Sequence, residues 1–405
     1  MRRVVVTGMG IWSCIGTSLT EVAENLRKGK NGIVSDPART EYGMHCPLVG
    51  NVPKPNLRAQ LPDRRARFSM SEEAEYAYMA ARQAFDQACI TDDYLRKNEV
   101  GILFGNDSSV LATVEAHNVM LANHDTAAIG SGHLFRAGGS TVTMNLSAVF
   151  HLRGINATLS AACASGGHSV GIGAMFIRQG LQDMILVGGA QEANMIAVEA
   201  FEAIGAFAQN IDPDTACCPF DQNRSGLIPS GGAAALVLEE YEHAVARGAT
   251  ILAEVAGYGF SSNGLSISEP SRDGAMRSML RALHDAGMQP DVIDYINAHA
   301  TSTQAGDIEE AVAVTELFGE HQPLISSTKS MTGHECWMAG ASELVYSILM
   351  MQYGFVAPNI HLKMVDASAA KLRLVKTSVS TQLNTIMSNS FGFGGTNSTI
   401  IIKRL

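Results

Sequence analysis

Basic residues are the scarcer charge in this chain: 29 Lys and Arg against 39 Asp and Glu leave a formal net charge of −10. That balance argues against broad binding to nucleic acid or an anionic membrane, and any acidic partner needs a local basic patch. Cysteine is sparse and unpaired. The seven thiols, Cys14, Cys46, Cys89, Cys163, Cys217, Cys218 and Cys336, are odd in number, form no C-x-x-C pair and show no Cys/His clustering at zinc spacing. This predicts a reducing compartment and no structural metal. No stretch approaches the roughly 18 consecutive apolar residues that span a bilayer, so a cytoplasmic protein without a membrane span is expected. With 17% charged and 46% hydrophobic residues, disorder is excluded and a large core is available. The opening Met1 to Cys14 has a signal-peptide-like apolar run, but glycines interrupt it and a polar segment follows; it reads as a first β-strand.

What is present is an α/β pattern. Short β-branched runs (Val4–Val6, Val100–Phe104, Met184–Val187) alternate with helical stretches such as Ser71–Ala88 and Ser165–Gln179, predicting a buried parallel sheet. The second half echoes the first in order. Ile251–Gly259 matches Val4–Gly10, Ile293–His299 matches Val100–Gly105, Pro323–His334 matches the strand and turn around Cys163, and Thr385–Phe393 matches Asp183–Glu192. Two similar halves, 1–250 and 251–405, are therefore expected, with their ligand loops meeting at the strand C-termini. The stretch from about 106 to 150 has no visible counterpart and reads as an insertion, a candidate dimer interface.

Four loops carry chemistry. In Asn156-Ala-Thr-Leu-Ser-Ala-Ala-Cys163-Ala-Ser-Gly-Gly167 a strand former run meets a glycine-rich helical segment, which puts the thiol at a helix N-terminus. Free N–H groups and a partial positive charge there favour thiolate and an adjacent oxyanion; the alternative is a small cysteine packed in an elbow. Asn297-Ala-His-Ala-Thr-Ser-Thr303 sets His299 after an apolar strand, with Thr301 and Thr303 spaced to hydrogen-bond an amide-bearing arm or merely to line a turn. Ser326-Ser-Thr-Lys-Ser-Met-Thr-Gly-His334 places Lys329 and His334 on a polar turn, where a lysine is ordinarily a solvated charge. Met387-Ser-Asn-Ser-Phe-Gly-Phe-Gly-Gly-Thr-Asn397 is glycine-rich enough for backbone N–H groups to approach a ligand closely, or for a simple tight turn.

Taken together and in this order, the four loops resemble the β-ketoacyl-acyl-carrier-protein synthases, the condensing-enzyme branch of the thiolase superfamily, over essentially the whole chain. Gly354–Ile360 and Thr385–Ser390 look most like the synthase I type. The resemblance implies a five-layered α/β/α/β/α sandwich and decarboxylative condensation of acyl- with malonyl-carrier protein. Cys163 would be the acyl-accepting nucleophile, and His299 and His334 would assist decarboxylation. Lys329 would hold the histidine geometry, paired with Glu310. Phe393 would supply an oxyanion N–H and a gate, and Thr301 and Thr303 would bind pantetheine. No cofactor or metal is implied beyond the carrier's own phosphopantetheine. The partners implied are an acyl carrier protein and a second subunit, identical or chain-length-factor-like. Arg64, Arg65 and Arg67 fall where the family's docking cluster falls.

The sequence departs from the family at Ala300, normally glycine, and at Trp337 and Met338, normally small. A tryptophan beside His334 predicts either local repacking or altered acyl selectivity. No Lys or Arg occurs from Asn106 to Phe135, where such synthases often carry a second docking patch. A degradative thiolase would be expected to carry a second cysteine in the late glycine loop, and Phe391-Gly-Phe-Gly-Gly has none. A non-catalytic partner subunit would lack Cys163. The competing reading is an active ketosynthase of a specialised polyene or polyketide pathway.

Overall fold

The structure, a computed structural model, describes residues 2–405. Its main strands are β1 (Val4–Trp12), β2 (Gly101–Gly105), β3 (Asn156–Leu159), β4 (Met184–Gln191), β5 (Gly232–Glu240), β6 (Ala253–Ser262), β7 (Tyr295–Asn297), β8 (Leu324–Ser326), β9 (Thr385–Gly392) and β10 (Thr396–Lys403). In space they run β3-β2-β4-β5-β1 and then β6-β10-β9-β7-β8, with a short strand Arg373–Leu374 beyond β8. The two sets join only through the pairings of Val5 with Glu254 and Val6 with Ala253. Each set repeats the other's order and directions, so the strands matched by the internal echo occupy equivalent positions.

The sheet is mixed where a parallel one is expected. β2 is parallel to β3 and β4, and β7 to β8 and β9. β5 is antiparallel to β4 and β1, and β10 to β9 and β6. The reason is plain at β9–β10: the connecting Phe393–Gly395 turn is far too short for the crossover that a parallel neighbour requires. β5 keeps the corresponding direction although its connection to β4 is long.

Alternation along the strands builds the layers. On β5, Ala234, Leu236 and Leu238 face a central core, while Ala233, Ala235 and Val237 face an outer one. On β10, Ile400 and Ile402 face the same central core, and Ile401 faces a third, on the opposite outside. Helices fill the three resulting spaces. α1 (Glu72–Gln87) and α2 (Thr141–Phe150) cover the N-terminal sheet half, and α4 (Arg272–Ala286) and α5 (Gln304–Phe318) cover the other. Between them lie α3 (Ser165–Arg178) and α6 (Ala339–Tyr353), giving five layers. Each Leu, Ile or Val fully buried this way contributes roughly 1.5–3 kcal/mol. α1 begins where its sequence signals a cap, with the Ser71 side chain accepting from the Ala74 N–H and three glutamates in the first turn.

The insertion is shorter than the expected 106–150. α2 links β2 to β3 and packs on α1 as α5 links β7 to β8 and packs on α4, so Thr141–Phe150 has a counterpart after all. Its brevity beside α5 hid the equivalence.

Candidate active site

Cys163 lies in the turn between β3 and α3, and it is buried. The turn is held under strain. Ala162 adopts φ 45, a left-handed conformation that costs a non-glycine residue about 1–3 kcal/mol. The Ser165 hydroxyl pins it by accepting from the Ala161 N–H at 2.7 Å and donating to the Ala162 carbonyl at 2.6 Å. Glycines then let the two central helices touch: a Cβ on Gly340 would stand 2.4 Å from the Gly167 nitrogen, and one on Gly166 would stand 2.8 Å from the Ala341 nitrogen. This close crossing seats the loop before α6, with His334, directly on the thiol.

His334 Nε2 is 2.9 Å from Cys163 Sγ. The Cys336 N–H donates to His334 Nδ1 at 3.3 Å, which leaves that nitrogen unprotonated and puts the ring proton on Nε2, facing the sulfur. The His334 N–H itself donates to the Ile228 carbonyl at 2.7 Å, anchoring the loop. The His299 ring stands edge-on to His334 with centroids 5.4 Å apart, and 5.9 Å from Phe391. Its Nδ1 is buried without a protein partner. Burial, with the Lys329 ammonium adding to it, drives both imidazoles well below their ordinary pKa, so both are neutral donors near neutral pH.

Burial also pushes the Cys163 thiol up to about 11, against the pull of the Lys329 charge and hydrogen bonds from the Phe393 N–H and its own N–H. The expected thiolate is therefore a thiol at rest; desolvation outweighs the helix start. The Phe393 ring is half exposed and stacks on Phe201 at 6.2 Å.

Lys329 is not a solvated turn charge. It is 1% exposed, and its ammonium pairs with Glu343, not with Glu310. Glu310 instead receives the N–H groups of His299 at 3.0 Å and Ala300 at 2.7 Å, and the Asn389 amide at 3.0 Å. Glu310 sits on α5 at the height of the His299 loop, where its carboxylate meets backbone donors, while Lys329 faces α6. Glu343 gave a sequence signal that went unread, being the one charged residue in the apolar Ala339–Tyr353 segment. Asn389 and Phe201 offered none.

Thr301 and Thr303 join their hydroxyls at 3.0 Å beside this cluster. Arg64 and Arg65 are exposed on the short helix Arg64–Phe68, far in sequence from the cluster, and Arg67 is turned inward to donate to the Leu61 carbonyl. Arg136, one residue beyond the uncharged 106–135 stretch, lies over the Phe68 ring at 5.8 Å and so extends that basic surface. Met338 is fully buried, whereas Trp337 is only partly so, donating its ring N–H to Ser160 at 3.0 Å and meeting Phe201 edge-on at 6.3 Å.

Cys163 Sγ and a nitrogen of each histidine lie within 4.8 Å of one another, a separation that a metal ion could bridge. The Lys329 charge that depresses both imidazoles opposes a cation there. The same positive field suits anionic oxygens. A buried thiol at an elbow, two neutral imidazoles and a buried ammonium, where two similar α/β halves meet, are the arrangement of a thiolase-like condensing enzyme.

Known proteins agree. Residues 1–244 match the family described as beta-ketoacyl synthase, N-terminal domain, and residues 252–363 match its C-terminal domain. The 3-oxoacyl-[acyl-carrier-protein] synthase 1 of Haemophilus influenzae is 40% identical over 413 residues, covering 100% of this chain and 99% of that protein. Among solved structures, a beta-ketoacyl synthase from Burkholderia phymatum STM815 superposes with a TM-score of 0.94 at 34% identity, covering 100% of both chains. The ishigamide ketosynthase/chain length factor gives 0.93 at 32%, covering 100% of this chain and 99% of that one. The chain belongs to the β-ketoacyl synthase family.

Proposed function

We propose that this chain is a β-ketoacyl-acyl-carrier-protein synthase of the synthase I type, elongating acyl chains through an acyl-Cys163 intermediate. The observation that carries this reading is the 2.9 Å contact between His334 Nε2 and Cys163 Sγ, with the His299 ring edge-on to that of His334. In the first half-reaction the sulfur attacks the acyl thioester, the oxyanion is held by the N–H groups of Cys163 and Phe393, and the carrier's pantetheine thiol leaves with the Cys163 proton.

Malonyl-carrier protein follows. Its thioester carbonyl accepts from His299 and His334, the bond to the terminal carboxylate breaks, and carbon dioxide departs. The electron pair left on the α-carbon attacks the acyl-Cys163 carbonyl, the C–S bond breaks with Cys163 leaving as thiolate and taking a proton from water, and a β-ketoacyl thioester two carbons longer is released. Neutral imidazoles suit this step because each donates a proton-bearing nitrogen to a developing enolate without giving the proton up. Lys329 orients the histidine loops, Thr301 and Thr303 bind the pantetheine arm, and Phe393 gates the acyl pocket. All chemistry then resides in side chains and the carrier's thioesters, with no further cofactor.

Arg64, Arg65 and Arg136 form the docking surface for an acidic carrier protein. The working unit is a dimer in the cytoplasm, with itself or with a chain-length-factor-like subunit. Among the described residues no helix is long and apolar enough to cross a membrane. The decisive experiment mixes acyl- and malonyl-carrier proteins with the enzyme and identifies products by mass; Cys163→Ala is expected to give none. Two observations favour the second reading, a specialised polyene or polyketide ketosynthase. Trp337 and Met338 fill the space after His334, and the chain superposes on the ishigamide ketosynthase/chain length factor over its whole length.

A further inference from the structure

The loop from β7 to α5 is held at both ends. At its first end Glu310, in the second turn of α5, takes the N–H groups of His299 and Ala300. At its second end stands Arg224, from the segment that precedes β5. Its Nε donates to the Thr303 carbonyl at 2.9 Å, and one terminal nitrogen donates to the Gln304 carbonyl at 2.8 Å. The other terminal nitrogen donates to the Asp221 carbonyl at 2.8 Å and to the Asp366 carboxylate at 2.9 Å. Arg224 is 1% exposed, so its guanidinium acts on the loop and not on a ligand.

The same segment fixes the residue between the two threonines. Ser302 is buried at φ 69, a left-handed conformation that a non-glycine residue keeps only where its surroundings over-determine it. The Cys218 N–H donates to its hydroxyl at 3.1 Å, and the Gly226 N–H donates to its carbonyl at 3.0 Å. Strain of this kind concentrates at ligand clamps. Thr303 is the N-cap residue of α5, yet its side chain caps nothing, whereas a threonine serving only to start a helix turns its hydroxyl to the free N–H groups. That hydroxyl is turned instead to Thr301, at 3.0 Å. Gly306 makes room for it, since a Cβ there would stand 2.7 Å from Thr303 Oγ1. One proton serves the bond between the two hydroxyls, which leaves one proton and spare lone pairs for an amide.

We propose that Arg224 is a positioning residue for the pantetheine arm: by clamping the carbonyls of Thr303 and Gln304 it aims the Thr301–Thr303 hydroxyl pair at an amide of that arm. The inference rests on the reading of the two threonines given above. Glu310 and Arg224 then divide the work on one loop, the first setting the imidazole and the second setting the grip on the arm. A lysine at 224 cannot do the same, because a single ammonium lacks the planar fork that reaches two successive carbonyls.

The test is acylation of Cys163 in the full-length protein, read by intact mass, with two donors of the same acyl group: hexanoyl-pantetheine, which carries the amides, and S-ethyl hexanethioate, which carries none. At subsaturating donor, Arg224→Lys is expected to slow acylation by the pantetheine thioester roughly 10-fold and to leave the S-ethyl thioester unchanged. A role in the fold alone slows both donors equally; that result overturns the proposal, as does an unchanged ratio. Should Arg224→Lys not fold, Asp366→Asn, which weakens the partly exposed partner of the same guanidinium, carries the test. It is expected to cost about 3-fold, confined to the pantetheine donor, and an unchanged ratio there overturns the proposal as well. The double variant Thr301→Val, Thr303→Val separates the two readings. If it keeps the unaltered protein's preference for the pantetheine donor, the arm-binding reading itself fails. A preference lost there but kept in Arg224→Lys defeats only the assignment to Arg224.

Discussion

The backbone of His299 hangs from the side chain of Glu310, whose Oε1 accepts the His299 N–H at 3.0 Å while Oε2 takes that of Ala300 at 2.7 Å. Because Asn389 on β9 donates to the same carboxylate at 3.0 Å, Glu310 ties the histidine loop to the strand that leads into the Phe393 turn. Glu310→Ala is expected to slow decarboxylation of malonyl-carrier protein roughly 10²-fold or more, toward the cost of losing a donor outright. Acylation of Cys163 should stay within a few-fold, since His334 and Phe393 are untouched. Glu310→Gln keeps one acceptor and should recover part of the loss. Equal slowing of both half-reactions in Glu310→Ala would argue for a general collapse of the site.

With the Cys163 thiol pushed up to about 11 by burial, its thiolate fraction rises about tenfold per pH unit below that value. Alkylation by iodoacetamide, followed by mass at Cys163, should therefore climb across pH 7 to 10 without levelling near neutrality. Lys329→Met removes a charge that favours the thiolate and should lower the whole curve. A plateau near neutral pH would mean that the helix start outweighs desolvation after all.

The loops were legible because each is local. A strand former run, a glycine and one reactive side chain lie within a dozen residues, and their order along the chain reports the duplicated topology. What the sequence concealed is which distant groups meet. Lys329 turns to Glu343 on α6 because burial demands a nearby carboxylate, and Glu310 turns to backbone donors that no sequence pattern marks. Thiolate character at Cys163 failed as an expectation for a related reason: the helix start is visible locally, but the layers that desolvate the sulfur come from the whole chain. Likewise Trp337 is legible as bulk but not as a half-buried ring stacked edge-on to Phe201.

Arg64 and Arg65 project from a short helix into solvent, while Arg67 is committed to the Leu61 carbonyl. A carrier protein recognised there should lose affinity when the charges are reversed. Arg64→Glu with Arg65→Glu is expected to raise KM for acyl-carrier protein about tenfold or more, increasingly so at low salt. Turnover of a small N-acetylcysteamine thioester should hold steady, because neither residue touches the catalytic cluster. Unchanged KM for the carrier-borne substrate would move the docking surface elsewhere.

Behind the cluster, Glu335 accepts from Ser342 at 2.5 Å and Tyr346 at 2.8 Å, and burial pushes its carboxyl from 4.5 up to about 7 despite both bonds. The folded state therefore holds this proton more tightly than the unfolded chain does. Its contribution to stability is complete below 4.5, the value for the unfolded chain, and is lost as pH rises through about 7. Asp307, also raised to about 7, and Glu343, raised to about 8, act in the same direction. Urea unfolding at pH 5.5 and 8.5 should show the protein less stable at the alkaline end. In Glu335→Gln the loss between those two pH values should shrink by roughly 2 kcal/mol, because the amide has no proton to release. An unaltered pH slope in that variant would mean that Glu335 is already ionised in the fold, held by Ser342, Tyr346 and the field of Lys329.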